Sequence, residues 1–167
     1  MKKFVKNRIK EFVILLVISL SFTKCEQEKG YSAYQSIGEE GLGTSPIIFE
    51  IPENVLDTLR KNIFLRLRNN NNYQYSNIFL IVSLTAGEEQ ITNDTLEYLM
   101  ASPEGKWLGK GFLEVKESKL WWKESVIFPE ERPIKINISQ AVRNNNVKSG
   151  VKNLKGIVSV GISIENE

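Results

Sequence analysis

Short segments in which apolar residues alternate with polar ones place the strongest constraint on the fold of this chain. Successive side chains of a β-strand point to opposite faces of a sheet, so this spacing predicts strands with one buried face. The alternation is clearest in residues 63–67, 134–138 and 158–164. Residues 77–85 are apolar on both faces, which is typical of a central strand. After residue 46, helical spacing is limited to a turn at residues 139–143.

About eight short strands are predicted in all, and turn residues separate them. The remaining strands are predicted at residues 47–51, 95–100, 112–115 and 120–128. The last two would form a hairpin that turns at Glu117 and Ser118. Four consecutive asparagines at residues 69–72 and the Ser-Pro-Glu-Gly segment at residues 102–105 indicate loops. Strands at this spacing indicate an all-β domain, an antiparallel sandwich or barrel. We predict the antiparallel β-sandwich, of jelly-roll or Greek-key type.

The first 24 residues have the layout of a bacterial secretory signal. Five basic residues among the first ten precede an apolar run at residues 12–22, which is shorter than the roughly 20 residues that span a bilayer. Cys25 follows, where a lipoprotein signal places the thiol that receives diacylglycerol. Lys24 departs from the small residue that usually precedes this cysteine. We therefore predict a signal peptide at residues 1–24 and a covalent lipid on Cys25; an uncleaved leader with Cys25 unmodified is the alternative.

Residues 25–45 are predicted to form a flexible tether between the anchor and a folded domain at residues 46–167. The segment after Cys25 is polar, contains four glycines and shows no sustained period. Tyr31 and Tyr34 could instead add contacts or a short edge strand.

The charge and the residue inventory exclude several classes of function. The chain has 22 basic and 20 acidic residues, of which the first 24 positions hold six and one, so the part from Cys25 onward has 16 basic and 19 acidic residues. An acidic domain lacks the clustered positive charge that nucleic-acid binding needs. The absence of histidine excludes Ser-His-Asp and Cys-His catalysis and imidazole zinc sites. We predict a protein that is not an enzyme and has no cofactor or metal.

The segment at residues 94–111, DTLEYLMASPEGKWLGKG, resembles the signature stretch of the gliding-motility lipoprotein H family (GldH). The run GKWLGKG at residues 105–111 is the most specific part. The similarity extends from Ile47 to the C-terminus, through FLRLRNN, VIFPEE and GIVSVGISIE, and includes the leader. Val142 departs from the pattern, since family members tend to have a methionine before the arginine.

This resemblance implies a lipoprotein of the cell envelope that supports surface gliding alongside the type IX secretion machinery and has no known catalytic activity. It implies partners among the other gliding or secretion proteins of the envelope. We expect the lipid to hold the protein in the outer membrane. Two triplets, Asp57-Thr58-Leu59 and Asp94-Thr95-Leu96, also resemble an O-glycosylation acceptor of exported proteins, so Thr58 and Thr95 are candidate acceptors.

The predicted interaction site combines part of the signature loop with one tryptophan: Lys106, Trp107, Leu108, Lys110 and Trp121. The loop is interpreted as a binding loop or, preferably, as a turn with glycines at positive φ. Trp121 and Trp122 are adjacent and would point to opposite faces of a strand, so they cannot share one core. An exposed Trp121 would suit a protein partner or, as the alternative function, a carbohydrate.

Overall fold

The computed structural model describes residues 30–111, 113–143 and 150–167. These ranges form eight β-strands and a short 3₁₀ helix at Glu53–Val55. The strands are β1 (Gly30–Ser36), β2 (Ile47–Glu50), β3 (Lys61–Asn69), β4 (Asn77–Ala86), β5 (Glu89–Leu99), β6 (Lys116–Val126), β7 (Ile134–Gln140) and β8 (Ile157–Asn166). No helix in the described ranges is long and apolar enough to cross a membrane.

The strands form two four-stranded antiparallel sheets. The first sheet has the order β1-β8-β3-β6 and the second has the order β2-β7-β4-β5. Only β4 and β5 are joined as a hairpin within one sheet, because every other connection passes from one sheet to the other. This order is that of a jelly roll, in which two Greek keys form a double sheet. The predicted all-β sandwich is confirmed.

The core lies between the two sheets and is built by the alternating segments. β3 turns Ile63, Leu65 and Leu67 inward, and each is 0% exposed. β7 adds its isoleucines in the same way, so the predicted alternation at residues 134–138 is confirmed. β8 is a strand as predicted and adds Val160, Ile162 and Ile164, but Ser159 and Ser163 on its other face are buried too, so burial does not alternate over residues 158–164. A fully buried aliphatic side chain contributes about 1.5–3 kcal/mol relative to an exposed one. Burial of these inward faces is therefore what holds the two sheets together.

Strand β6 is continuous where the sequence predicted a hairpin turn. Glu117 and Ser118 lie within β6 and pair with Arg68 and Leu67 of β3. The polar residues are compatible with a strand because the Glu117 carboxylate accepts hydrogen bonds from β3 and Ser118 is buried. The prediction of a strand at residues 112–115 is also wrong over residues 113–115, where Leu113 is in a turn with φ +57°.

Strand β4 is less buried than its composition suggests. Its inward residues Ile78, Leu80 and Val82 are fully buried, but Ile81 on the other face is 39% exposed. The sequence predicted burial on both faces. The outer face of this sheet is open because the jelly roll packs only its inner face against the other sheet.

The predicted tether is part of the folded domain from Gly30 onward. All seven residues of β1 pair with β8, and Leu42 is 2% exposed. The backbone of Leu42 exchanges hydrogen bonds of 3.0 and 2.8 Å with Leu154. The prediction of a flexible segment is therefore wrong over residues 30–45, and the edge-strand alternative raised for Tyr31 and Tyr34 is confirmed.

The odd-numbered strands all begin at one end of the sandwich, which we call the anchor end because β1 begins there. Gly30 pairs at this end with Glu165 of β8, and the loop at residues 127–133 lies there too. The connections at residues 37–46, 70–76 and, among the described residues, 100–111 and 113–115 lie at the opposite end, which we call the distal end.

Candidate interaction site

A groove of about 910 Å³ lies near the distal end, between β6 and the loop that joins β5 to β6. Three exposed apolar side chains line it: Leu99, Leu108 and Val115 are 64, 55 and 39% exposed. The charged residues of its lining are Arg66, Arg68, Lys110, Glu117 and Lys119. The groove therefore combines apolar surface with an excess of positive charge. Sequence reasoning identified the loop side of it and missed the strand side.

The glycines of the signature loop let its backbone run directly beside β6. Lys110 and Glu117 exchange two backbone hydrogen bonds of 2.8 and 2.7 Å. A Cβ atom on Gly109 would lie 2.9 Å from the Glu117 carbonyl oxygen, and one on Gly111 would lie 2.2 Å from that of Val115. Only glycine permits so close an approach of two backbones.

The turn interpretation of the same loop is confirmed at Gly105. This residue has φ +81°, a conformation that glycine adopts without a steric penalty. Its N–H donates to the Ser102 carbonyl at 2.9 Å, and the Ser102 N–H donates to the Lys106 carbonyl at 2.8 Å. The loop is thus a tight turn that also forms one wall of the groove.

The five predicted site residues do not come together in one place. Leu108 and Lys110 line the groove, and Lys106 is exposed at the turn. Trp107 lies outside the groove lining: its ring centroid is 6.1 Å from that of the buried Tyr73, and its Nε1 donates to Asn71 at 3.3 Å.

Trp121 lies on the outer face of the first sheet and does not line the groove. It is 46% exposed, and its ring meets Phe64 edge-on at a centroid distance of 4.9 Å. Trp122 is 6% exposed, so the predicted opposite placement of the two tryptophans is confirmed. Because Trp107 and Trp121 contact different neighbours, they offer no shared stacking platform for a sugar, and the geometry does not favour the carbohydrate alternative.

Arg66 is almost fully buried although it belongs to the outer face of a sheet. It is 7% exposed; its Nη1 lies 3.1 Å from Glu117 and its Nη2 lies 3.8 Å from Glu165. Its Nε donates to the Ser163 hydroxyl at 3.0 Å. Glu117 also accepts a hydrogen bond of 2.5 Å from Arg68. Sequence reasoning missed this cluster; the only signal was a pair of arginines on the outward side of an alternating strand.

Tyr34 links the two edge strands of the first sheet. It lies directly across from Gly161, where a Cβ atom would be 2.6 Å from its ring. Its hydroxyl donates to Glu117 at 3.2 Å, and the Arg68 guanidinium lies 4.3 Å from its ring centroid. Burial and the nearby Glu117 carboxylate raise the pKa of Tyr34, so the hydroxyl is a donor at neutral pH. A side chain of β1 thereby stabilises the strand face of the groove.

Replacing Arg66 by methionine is expected to lower the free energy of unfolding by about 2 kcal/mol. Removal of one partner from a buried ion pair costs about 3–5 kcal/mol, and the value is reduced here because Glu117 and Glu165 are partly solvated. Urea denaturation measures the difference. Arg68→Met is the matched control, since Arg68 has the same partner but a 42% exposed side chain; its effect should stay below about 1 kcal/mol. Equal effects for the two variants would contradict this account.

Tyr98 and Asp94 connect β5 to β6 across the side of the sandwich. The Tyr98 hydroxyl donates to the Trp121 carbonyl at 2.5 Å, and burial raises the pKa of Tyr98 to about 12. The Trp122 Nε1 donates to Asp94 at 3.0 Å, and Lys123 pairs with the same oxygen at 2.9 Å. Burial alone would raise the pKa of Asp94, but the bonds from Lys123 and Trp122 lower it, so this carboxylate is charged at neutral pH.

The amino-acid sequence of the chain is similar to those of known proteins. Residues 31–164 match the family described as GldH lipoprotein. The chain belongs to the GldH lipoprotein family. The matched range begins within β1, and so the family includes the edge strand that composition alone assigned to a tether.

Two relatives resemble the chain over almost its whole length. The gliding motility lipoprotein GldH homolog of Christiangramia forsetii is 43% identical over 154 residues, which cover 92% of this chain and 93% of the relative. The gliding motility lipoprotein GldH of Flavobacterium johnsoniae is 41% identical over 161 residues, which cover 96% and 99%. Membership of the GldH lipoprotein family indicates a lipid-anchored protein of the cell envelope.

The candidate modification sites are placed differently with respect to the fold. Cys25 lies outside the described residues. Thr58 is exposed in a bend in which Asp57 accepts a hydrogen bond from the Leu59 N–H at 2.9 Å. Thr95 is exposed in the middle of the edge strand β5. Lipidation of Cys25 and glycosylation of either threonine stay predictions.

Proposed function

We propose that this GldH lipoprotein supports bacterial gliding motility and the associated type IX secretion, and that it acts through contacts with other gliding or secretion proteins of the envelope. The observation that carries the proposal is the similarity to the Flavobacterium johnsoniae gliding motility lipoprotein over nearly the full length of both chains. Partners of this kind would reach the domain at a surface such as the groove.

A role in contacts rather than catalysis is supported by the chemistry of the groove. Its one hydroxyl side chain, Ser118, is 7% exposed, and the whole chain has no histidine to activate it. Its carboxylate, Glu117, is held by Arg66 and Arg68. A general base and an accessible nucleophile are the groups that acyl transfer or hydrolysis would require.

The lipid that anchors the domain is expected on Cys25. This is the single cysteine of the chain, so it is the only thiol that can take the diacylglycerol of a lipoprotein. Acyl chains contribute about 0.8 kcal/mol for each buried CH₂, and two or more chains hold a protein stably on a bilayer. We propose the outer membrane as the site of anchoring.

Cys25→Ser is expected to abolish lipidation and gliding together. The intact mass of the purified protein would lose the lipid, the protein would leave the detergent phase or keep its leader, and cells would form non-spreading colonies. Lys24→Ala is the matched control and should keep or increase the lipidated fraction, because a small residue is usual before the lipidated cysteine. Spreading colonies together with a leader-free, lipid-free Cys25→Ser protein would refute the proposal.

A further inference from the structure

The groove lies at the corner of the first sheet that is diagonally opposite the start of the domain. β1 and β6 are the two edges of this sheet, three strand spacings or about 14 Å apart. Asn62 of β3 pairs with Glu165 at the anchor end. Arg68, which lines the groove, is six residues further along β3, and this corresponds to about 20 Å along the strand. The groove is therefore about 24 Å from Gly30 when both offsets are combined.

The chain between the anchor and the domain is too short to turn the distal end toward the bilayer. Gly30 is five residues after Cys25, and five residues span at most about 18 Å when fully extended. β8 alone has ten residues, which correspond to about 30 Å along the sandwich. A domain held by Cys25 therefore presents its distal end to the aqueous phase, where a protein can reach it.

The groove carries the opposite charge to the rest of the exported chain. Its lining has four basic residues and one acidic residue, whereas the chain from Cys25 onward has three more acidic than basic residues. Glu117 and Glu165 pair with Arg66, Arg68 and Lys119. Among the described residues no carboxylate lies within 4 Å of the Lys110 ammonium group. Positive charge thus remains available beside the apolar surface.

The apolar part of the groove is exposed to an unusual degree for a small domain. Leu99 and Leu108 are 64 and 55% exposed, and Leu113, which lies in the chain between the lining residues Gly111 and Val115, is 82% exposed. Contiguous apolar surface bordered by charge marks a site of protein contact more often than an isolated exposed leucine does. An occupant that covers these side chains would bury apolar area that the free domain exposes to solvent.

We propose that this groove binds an acidic segment of another envelope protein. An apolar side chain of the segment contacts Leu99 and Leu108, and a carboxylate of the segment lies beside Lys110. This inference rests on the proposed function, because the anchor at Cys25 is what turns the groove away from the bilayer. To the proposed function it adds the surface of this domain that the partner contacts and the chemistry of the partner's segment.

The experiment is photocrosslinking in living cells with a benzophenone amino acid placed at Leu108. The full-length lipoprotein is used, and the crosslinked segment of the partner is mapped by mass spectrometry. Ile127 is the matched control position, because it is 53% exposed, compared with 55% for Leu108, and lies at the anchor end. We expect a protein adduct from Leu108 whose mapped segment contains an apolar residue flanked by Asp or Glu, and no such adduct from Ile127.

A charge reversal tests the electrostatic part of the proposal. Lys110→Glu in the Leu108 crosslinking protein is expected to lower the adduct yield by roughly fivefold, as expected for loss of an exposed ion pair and its replacement by repulsion. Lys152→Glu is the matched control: Lys152 is exposed at the distal end but does not line the groove, so the yield should not change.

Several outcomes would contradict this inference but would not contradict the proposed function. A lipid adduct at Leu108, a mapped segment without acidic residues, an unchanged yield in Lys110→Glu, or no adduct in cells that still glide would each do so. The proposed function is tested separately, by the intact mass that shows the lipid on Cys25 and by the spreading of colonies that carry the wild-type chain.

Discussion

A domain that begins at Pro46 is expected to fail to fold, whereas one that begins at Gly30 is expected to unfold cooperatively. The shorter chain lacks β1 and leaves the backbone edge of β8 unpaired along seven residues. It also lacks Leu42, whose burial is comparable to that of leucines whose replacement by alanine costs about 2–5 kcal/mol. Small domains have about 5–15 kcal/mol of total stability, so the combined loss removes most of it.

Far-UV circular dichroism and urea denaturation of the two chains measure this difference. The free β8 edge should also cause association, since an unpaired strand edge is a template for pairing with another chain. A chain starting at Pro46 that stays monomeric and unfolds at the same urea concentration as the longer chain would show that residues 30–45 are the tether that composition suggested.

Trp122→Ala is expected to lower the free energy of unfolding by about 3–5 kcal/mol, the usual cost of removing a buried aromatic side chain. Trp122 is 6% exposed and reaches from the first sheet to Asp94 of the second, so its loss opens the core and breaks a bond between the sheets. Trp122→Phe helps to separate the two effects, because it keeps most of the packing and removes the hydrogen bond to Asp94.

Trp121→Ala is the control for this prediction, since the adjacent side chain lies on the solvent side of the same strand. Its contact with Phe64 is a single edge-to-face aromatic pair, for which about 0.5–1.5 kcal/mol is expected. Urea denaturation of all three variants gives the comparison. A larger effect at Trp121 than at Trp122 would mean that the face assignment of β6 is wrong.

The sequence was most informative where a pattern depends only on neighbouring residues. Alternation indicated the strands at residues 63–67, 134–138 and 158–164, and each is present. The same alternation placed Trp121 and Trp122 on opposite faces, and the structure shows that Trp122 is the buried one. The pattern was misleading in β6, where Glu117 and Ser118 looked like a turn because their partners on β3, Arg68 and Leu67, are 49 and 51 residues away along the chain.

The candidate site also has one part that the sequence indicated and one part that it did not. The signature loop pointed to Leu108 and Lys110, which line the groove. The strand side of the groove, with Arg66 and Glu117, had no local signal, because an arginine on an alternating strand is equally compatible with a solvated surface. Its burial depends on Glu117, Glu165 and Ser163, which come from two other strands.

By itself the sequence determined the all-β class and the resemblance to GldH, because period-two alternation and a specific motif are properties of short segments; the strand order of the predicted sandwich came from the tertiary structure. The tertiary structure decided that residues 30–36 form an edge strand, that β6 is unbroken and that the signature loop and the arginines of β3 form one groove. The physical reason is distance along the chain. Tyr34 and Glu117 are 83 residues apart, and only the placement of β1 and β6 in the same sheet, with β8 and β3 between them, brings the hydroxyl to the carboxylate.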